Sequence, residues 1–270
     1  MSVSGVHNKF IKDAIRENPY VPPSSITKSF QSFSLSDLKK SFYKEVNLYL
    51  DKSIYQYIIS RELLNSGHFS WAAVTQYYAN YYSISGLIRL HEHGFSKIGN
   101  KGIEIQNDSA NKYKVRKISN NGLHRVVWDK FYSLFQNFDY KPHIFYFICV
   151  PLQSNNNYYE SDRRNTINYG PGEGYNEIYY TQSKIQRLKK ENQKDTYSIN
   201  KFIRVNEWVD IDNVTQNRIR LLANVIHEVD KLSEFPIEVK ERFNNRKKFI
   251  SKFEAKVGIR NRIIGWLEGK

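Results

Sequence analysis

The run Glu160-Ser-Asp-Arg-Arg-Asn-Thr-Ile-Asn-Tyr-Gly-Pro-Gly-Glu-Gly-Tyr175 holds the chain's densest cluster of side chains that grip anions or move protons. Arg164 and Asn168 stand four residues apart, so on a helix they share a face, and Tyr169 follows at the end of the same run. A guanidinium can donate two parallel hydrogen bonds to phosphate oxygens, and a neighbouring amide adds a further donor. Arg163 brings a second cation, and the set suits a phosphate. A phenol with a pKa near ~10 is protonated at neutral pH, so Tyr169 acts as a base only where an adjacent arginine lowers it. The bland alternative is pairing of Arg163 and Arg164 with Glu160, Asp162 or Glu173 on a solvated helix end, worth only ~0 to 1 kcal/mol per pair. Gly170 followed by Pro171 supplies a left-handed stop and a residue that cannot continue a helix, which predicts a helix from Asp162 to Tyr169.

Arg164-Asn165, three residues and then Tyr169 resemble the Arg-Asn-x-x-x-His motif of the HEPN family, with Tyr169 at the position of the His. Ser70-Trp-Ala-Ala-Val-Thr-Gln-Tyr-Tyr-Ala-Asn-Tyr-Tyr82 is similar to the small-residue and Tyr-Tyr-Ala helix early in these bundles, so the resemblance covers residues 36 to 180. It implies a mainly α, HEPN-like helical bundle and a metal-independent ribonuclease of a bacterial defence or toxin system, with no cofactor. In that reading Arg164 holds the scissile phosphate, Asn165 and Asn168 orient it, and Tyr169 replaces His in proton transfer. Two protomers of the family build one composite site, which implies a homodimer. The alternative is a non-catalytic nucleic-acid-binding subunit, or one that docks on a larger effector or antitoxin.

With 41 Lys plus Arg against 27 Asp plus Glu, a net charge of +14 and a pI near 9.6, the chain favours an anionic partner, RNA first. Half of that excess lies in residues 240 to 262, where Arg246, Lys247, Lys248 and Lys252 are the leading nucleic-acid contacts. Lys114, Arg116 and Lys117 form a second basic stretch. The lone Cys149 lies in an apolar run at 144 to 150 and reads as an inert core thiol. Neither a leader nor an apolar run of the ~18 residues that a membrane span needs is visible, so the expected location is the cytosol, without a membrane partner. No Cys-x-x-Cys, P-loop, His-Glu-x-x-His or Gly-x-Ser-x-Gly signature occurs, and His91-Glu92-His93 reads as surface.

The elements that must position these groups follow from periodicity. Residues 1 to 33 read as an arm. Leu38, Phe42, Val46, Leu50, Ile54 and Ile58 predict a long amphipathic helix begun by the capping pair Ser34 and Asp37 and broken at Asn65-Ser66-Gly67. A second helix is expected from Ser70 as cap to Glu92, stopped by Gly94. Alternation at Ile103, Ile105, Tyr113 and Val115 predicts a hairpin over 102 to 118, inserted into a bundle spanning 34 to 180. His124 to Phe138 reads as helix. Residues 181 to 207 read as a polar linker or solvated helix. Residues 208 to 270 read as C-terminal helices with a basic face, the first on the stripe Val214, Leu221, Leu222, Val225, Val229 and Leu232.

Overall fold

The computed structural model describes residues 26–34, 38–98, 101–109, 112–118, 123–136, 158–170, 175–192, 207–232, 236–253 and 257–270. The expectations for the arm before residue 26, for Asp37, for the run around Cys149 and for residues 171–174 and 193–206 lie outside them. The protein is mainly α: among the described residues there are eight α-helices and one small antiparallel sheet. It divides into two compact units, one of residues 1–50 and 84–138, the other of 51–83 and 139–270.

Two helices run through both units. Helix α1, Leu38–Ser66, buries Leu38, Phe42, Val46, Leu50, Ile54 and Ile58 in one row at every fourth residue. It ends at Gly67, whose φ of 90° is left-handed, with Gly67 N–H donating to Leu64 O and His68 N–H to Leu63 O. That pair of bonds caps two of the helix's orphan carbonyls. Helix α2, Phe69–Leu90, follows at once. Ser70 is not its cap as expected: a carboxylate from a distant segment, Glu177, accepts from both Ser70 N–H (2.9 Å) and Ser70 Oγ (2.7 Å). Nor does Gly94 stop α2. The helix ends at Leu90, Glu92 takes the left-handed turn with φ 50°, and Gly94 lies in a strand. Glu92 is held there by Tyr113 Oη–H and Asn107 Nδ2–H, both donating to its carboxylate.

In the first unit the expected hairpin is present as β3 (Lys101–Ser109) and β4 (Lys112–Ile118), joined by β1 (Gln31–Ser34) and β2 (His93–Ile98) in the order β1-β4-β3-β2. Two strands were therefore hidden from the sequence reading, one of them in the supposed arm, and Ser34 is strand rather than helix cap. One face of the sheet carries Ile103, Ile105, Tyr113 and Val115, which close a core with Ile26, Leu38 and Phe42. The other carries Phe95, Glu104 and Arg116 in register, together with His93. Helix α3, Leu123–Gln136, buries Val127, Trp128, Phe131 and Tyr132.

The second unit adds α4 (Tyr159–Tyr169), a 3-10 turn (Asn176–Tyr179), α5 (Gln182–Asn192), α6 (Glu207–Lys231), α7 (Pro236–Ser251) and α8 (Val257–Leu267). Helix α6 buries Val214, Ile219, Leu222, Ala223 and Ile226, whereas Leu232, expected on its apolar stripe, is 86% exposed because the helix has ended by then. Its buried face is also polar: Asn213, Thr215, Gln216 and Arg218 are all withdrawn from water and must find partners inside the unit.

Candidate nucleic-acid interface

Helix α4 runs antiparallel to α2. Near its start Glu160 and Asn80 are bridged by one guanidinium of α6, and just beyond its end Tyr175 N–H donates to Ser70 Oγ (2.7 Å). The bridging group is Arg218, fully buried, which donates to Glu160 Oε1 (2.8 Å) and Oε2 (3.0 Å) and to Asn80 Oδ1 (2.9 Å). Asn80 in turn donates to Thr215 Oγ1 (2.8 Å). One turn earlier on α6, Asp212 accepts from Gln76 (3.1 Å), Gln216 (2.8 Å) and Tyr57 (3.5 Å) and pairs with Arg61 (3.4 Å). The buried faces of α2, α4 and α6 are thus joined by a polar network whose carboxylates are each matched by a cation.

Over this network lies a small half-open cleft lined by Gln76, Tyr77, Asn80, Glu160, Arg163 and Arg164, among others. Its cavity volume of about 20 Å³ is room for about one water-sized group. Among the lining side chains Glu160 is the sole carboxylate, and both of its oxygens are taken by Arg218; the other two charges are Arg163 and Arg164. Burial makes the Arg163 guanidinium easier to deprotonate than usual, opposed by the charge of Glu160, but an arginine still holds its proton at neutral pH. Arg164 lies over the rings of Tyr77 (5.2 Å) and Tyr78 (5.9 Å), and its Nε is buried with no hydrogen-bond partner among the described residues. The cleft therefore presents two arginines, one with an unspent buried donor, above a network that has already consumed its acid.

The residues singled out by sequence are not all gathered here. Arg163 and Arg164 line the cleft; Asn165, Asn168 and Tyr169 are not among its lining residues, and Tyr169 is 76% exposed. Gly170 is not left-handed: its φ of −75° and ψ of 127° are extended. Glycine fits because a Cβ there would sit 2.5 Å from the Thr166 carbonyl oxygen, which the Gly170 N–H uses to close α4. Arg246 is buried and donates to Asp51, Lys247 pairs with Glu268, and Lys248 and Lys252 are exposed. On the sheet Lys114 pairs with Asp108, Arg116 with Glu104, and Lys117 is exposed.

None of the known protein families, curated proteins or solved structures compared with the chain matches it.

A second polar cluster, in the first unit, was missed. His93 is buried rather than on the surface, its Nε2 2.9 Å from Glu104 Oε1, and Arg116 Nε donates to Glu104 Oε2 (2.6 Å). Burial pushes the Glu104 carboxyl up, but the hydrogen bonds from His93 and Arg116 outweigh it and hold the group below the usual carboxylate range. Burial lowers the His93 pKa in spite of Glu104, with Lys130 and Arg89 adding repulsion, so a neutral imidazole donates to an ionised carboxylate. The signal was the alternation of His93, Phe95 and Lys97 just after a helix. No group of three or more His, Cys, Asp or Glu among the described residues could hold a metal ion, and no helix among them is long and apolar enough to cross a membrane.

Proposed function

We propose that this is an RNA-handling protein that grips a backbone phosphate at the Arg163–Arg164 cleft. One observation carries the reading. The cleft concentrates two cations and a buried, unpartnered Arg164 Nε, while its carboxylate is neutralised from below by Arg218. A half-buried positive excess with a spare donor is stabilised by an anion, and a phosphate oxygen matches both the charge and the size of the opening. The net charge of +14 supports a polyanion over a small anion.

Binding is favoured over cleavage, because Tyr169 is not among the groups lining the cleft and Glu160 is engaged by Arg218. Metal-independent ribonuclease activity in a bacterial defence or toxin setting is the second reading. It rests on Arg164-Asn165 and Tyr169 standing in the order of the HEPN-type motif, and it brings with it the homodimer of that family.

Arg164→Ala tests both. The variant should bind single-stranded RNA roughly 10- to 100-fold more weakly, the scale of a lost charge-assisted contact. Arg164→Lys should recover only part, since an ammonium keeps the charge without the planar fork. Unchanged affinity in a fluorescence-anisotropy titration of Arg164→Ala would remove the cleft from the interface. Cleavage by wild type in the presence of chelator, abolished by Tyr169→Phe with binding retained, would promote the ribonuclease reading.

A further inference from the structure

The first turn of α2 and the 3-10 turn that meets it carry an unusual surface. Trp71 is 52% exposed, Ile178 72% and Tyr179 82%, an apolar outlay with no obvious use in folding. Hydrogen bonds and a ring contact tie the segment of Tyr175 and Glu177 to the start of α2. Glu177 clamps the buried Ser70 through two bonds, Ser70 Oγ accepts from Tyr175 N–H, and Tyr175, left-handed at φ 62°, sets its ring edge-on to Trp71 at 5.8 Å. Phe69 meets Tyr180 on the same segment.

Cations border the rings. Helix α5 carries Lys184, Arg187, Lys189 and Lys190 against the single acid Glu191. Lys184 Nζ sits 3.6 Å from the Tyr180 centroid. The helix lies against the turn itself: a Cβ added to Gly67 would come 3.1 Å from Lys189 Cε and 3.2 Å from Ile185 Cγ2, so glycine serves the close approach as well as the left-handed stop. Flat exposed rings beside a cationic helix are complementary to a single nucleic-acid strand, whose bases stack while its phosphates meet lysines. An apolar protein partner would match the rings but leave the lysines unanswered.

We propose that Trp71, Tyr175 and Tyr179 form a stacking platform for the bases of single-stranded nucleic acid, with α5 contacting its phosphates. The proposal rests on the nucleic-acid reading above but names a different site. Trp71 projects from α2 about 160° around the axis from Ala73 of the cleft, so the two surfaces face different ways.

The experiment titrates the full chain against a labelled, unstructured uridine-rich RNA and against a duplex RNA of matched length, with Trp71→Ala, Tyr179→Ala, Lys184→Glu/Lys190→Glu and Arg164→Ala beside wild type. Trp71→Ala should weaken single-strand binding roughly 5- to 100-fold and leave duplex binding unchanged, because duplex bases offer no free faces. Tyr179→Ala, at an 82% exposed position where little packing is lost, should show the same selectivity with a smaller loss. Lys184→Glu/Lys190→Glu should weaken single-strand binding and flatten its salt dependence. RNA should quench tryptophan fluorescence in wild type and in Arg164→Ala, and fail to do so in Trp71→Ala. Loss in the aromatic variants with none in Arg164→Ala sinks the cleft and keeps the platform; the reverse sinks the platform and keeps the cleft. Equal loss for single strand and duplex in Tyr179→Ala, or no RNA binding by wild type, also overturns the platform.

Discussion

Arg218 and Arg164 show how differently two arginines of one unit can act. Arg218 has no exposed surface and is matched on two sides by Glu160 and Asn80, so neutralising Glu160 leaves a charge in the interior without that carboxylate. Glu160→Gln should cost about 3–5 kcal/mol, read as a large fall in the thermal midpoint, whereas Arg164→Ala, which removes contacts with two tyrosine rings, should cost only about 1 kcal/mol. A well-packed apolar pair, Glu160→Leu with Arg218→Met, should recover most of the loss, because the pair's desolvation cost disappears with it. Equal stability of Glu160→Gln and wild type in urea unfolding would show that water reaches Arg218. The sequence disclosed Arg164, since two arginines and an asparagine before Gly-Pro are conspicuous. It disclosed Arg218 only to a reader prepared to see a charge in an apolar row: Val214, Arg218 and Leu222 are successive i,i+4 positions, all buried. Periodicity marks which face is buried; it cannot say that the buried face is polar, because that depends on what Asn80 and Glu160 bring from elsewhere in the chain.

At the scale of elements, the long helices were legible because their apolar rows repeat over many turns, as from Leu38 to Ile58 in α1. The hairpin was legible from alternation, but its flanking strands were not. Gln31–Ser34 is four residues long and mostly polar, and its pairing with Lys112–Val115 joins segments some eighty residues apart. His93 was misplaced for the same reason, since its burial follows from β2 pairing with β3. That pairing makes the first unit sensitive to acid. The folded-state pKa of His93 is depressed, so below about 6.5 the unfolded chain takes up a proton that the folded one resists, and stability falls as pH drops. His91, lowered by burial and by Lys130, acts in the same direction. Glu104 is also depressed, so its contribution is present at neutral pH and is lost at lower pH as it too must be protonated. The thermal midpoint should therefore fall between about pH 7 and pH 5, and His93→Gln, which keeps a donor for Glu104, should make that fall shallower. An identical pH profile for His93→Gln would show that the imidazole is not the group responsible.

For the molecule as a whole, the charge of +14 is what motivates the proposed anionic partner, but the structure sorts which cations are exposed to meet one. Arg242 pairs with Asp230, Arg246 with Asp51 and Lys247 with Glu268, so much of the basic segment is spent on holding α7 in the second unit. Lys248 and Lys252 remain exposed on the same helix or just beyond its end. If this face meets a nucleic-acid backbone, those two make the contact and Arg246 does not. Each phosphate neutralised on a single strand contributes about 0.7 to the slope of log affinity against log salt, so Lys248→Ala/Lys252→Ala should flatten the slope by about 1.4. Stability should hold, since exposed lysines contribute little. Arg246→Ala should do the opposite, lowering the thermal midpoint by removing a buried cation from Asp51 while leaving the slope nearly as it was. A double-lysine variant with an unchanged slope would confine nucleic-acid contact to other surfaces. It would also make the basic composition of α7 a matter of solubility, because a cation that releases no counterion on binding takes no part in the interface.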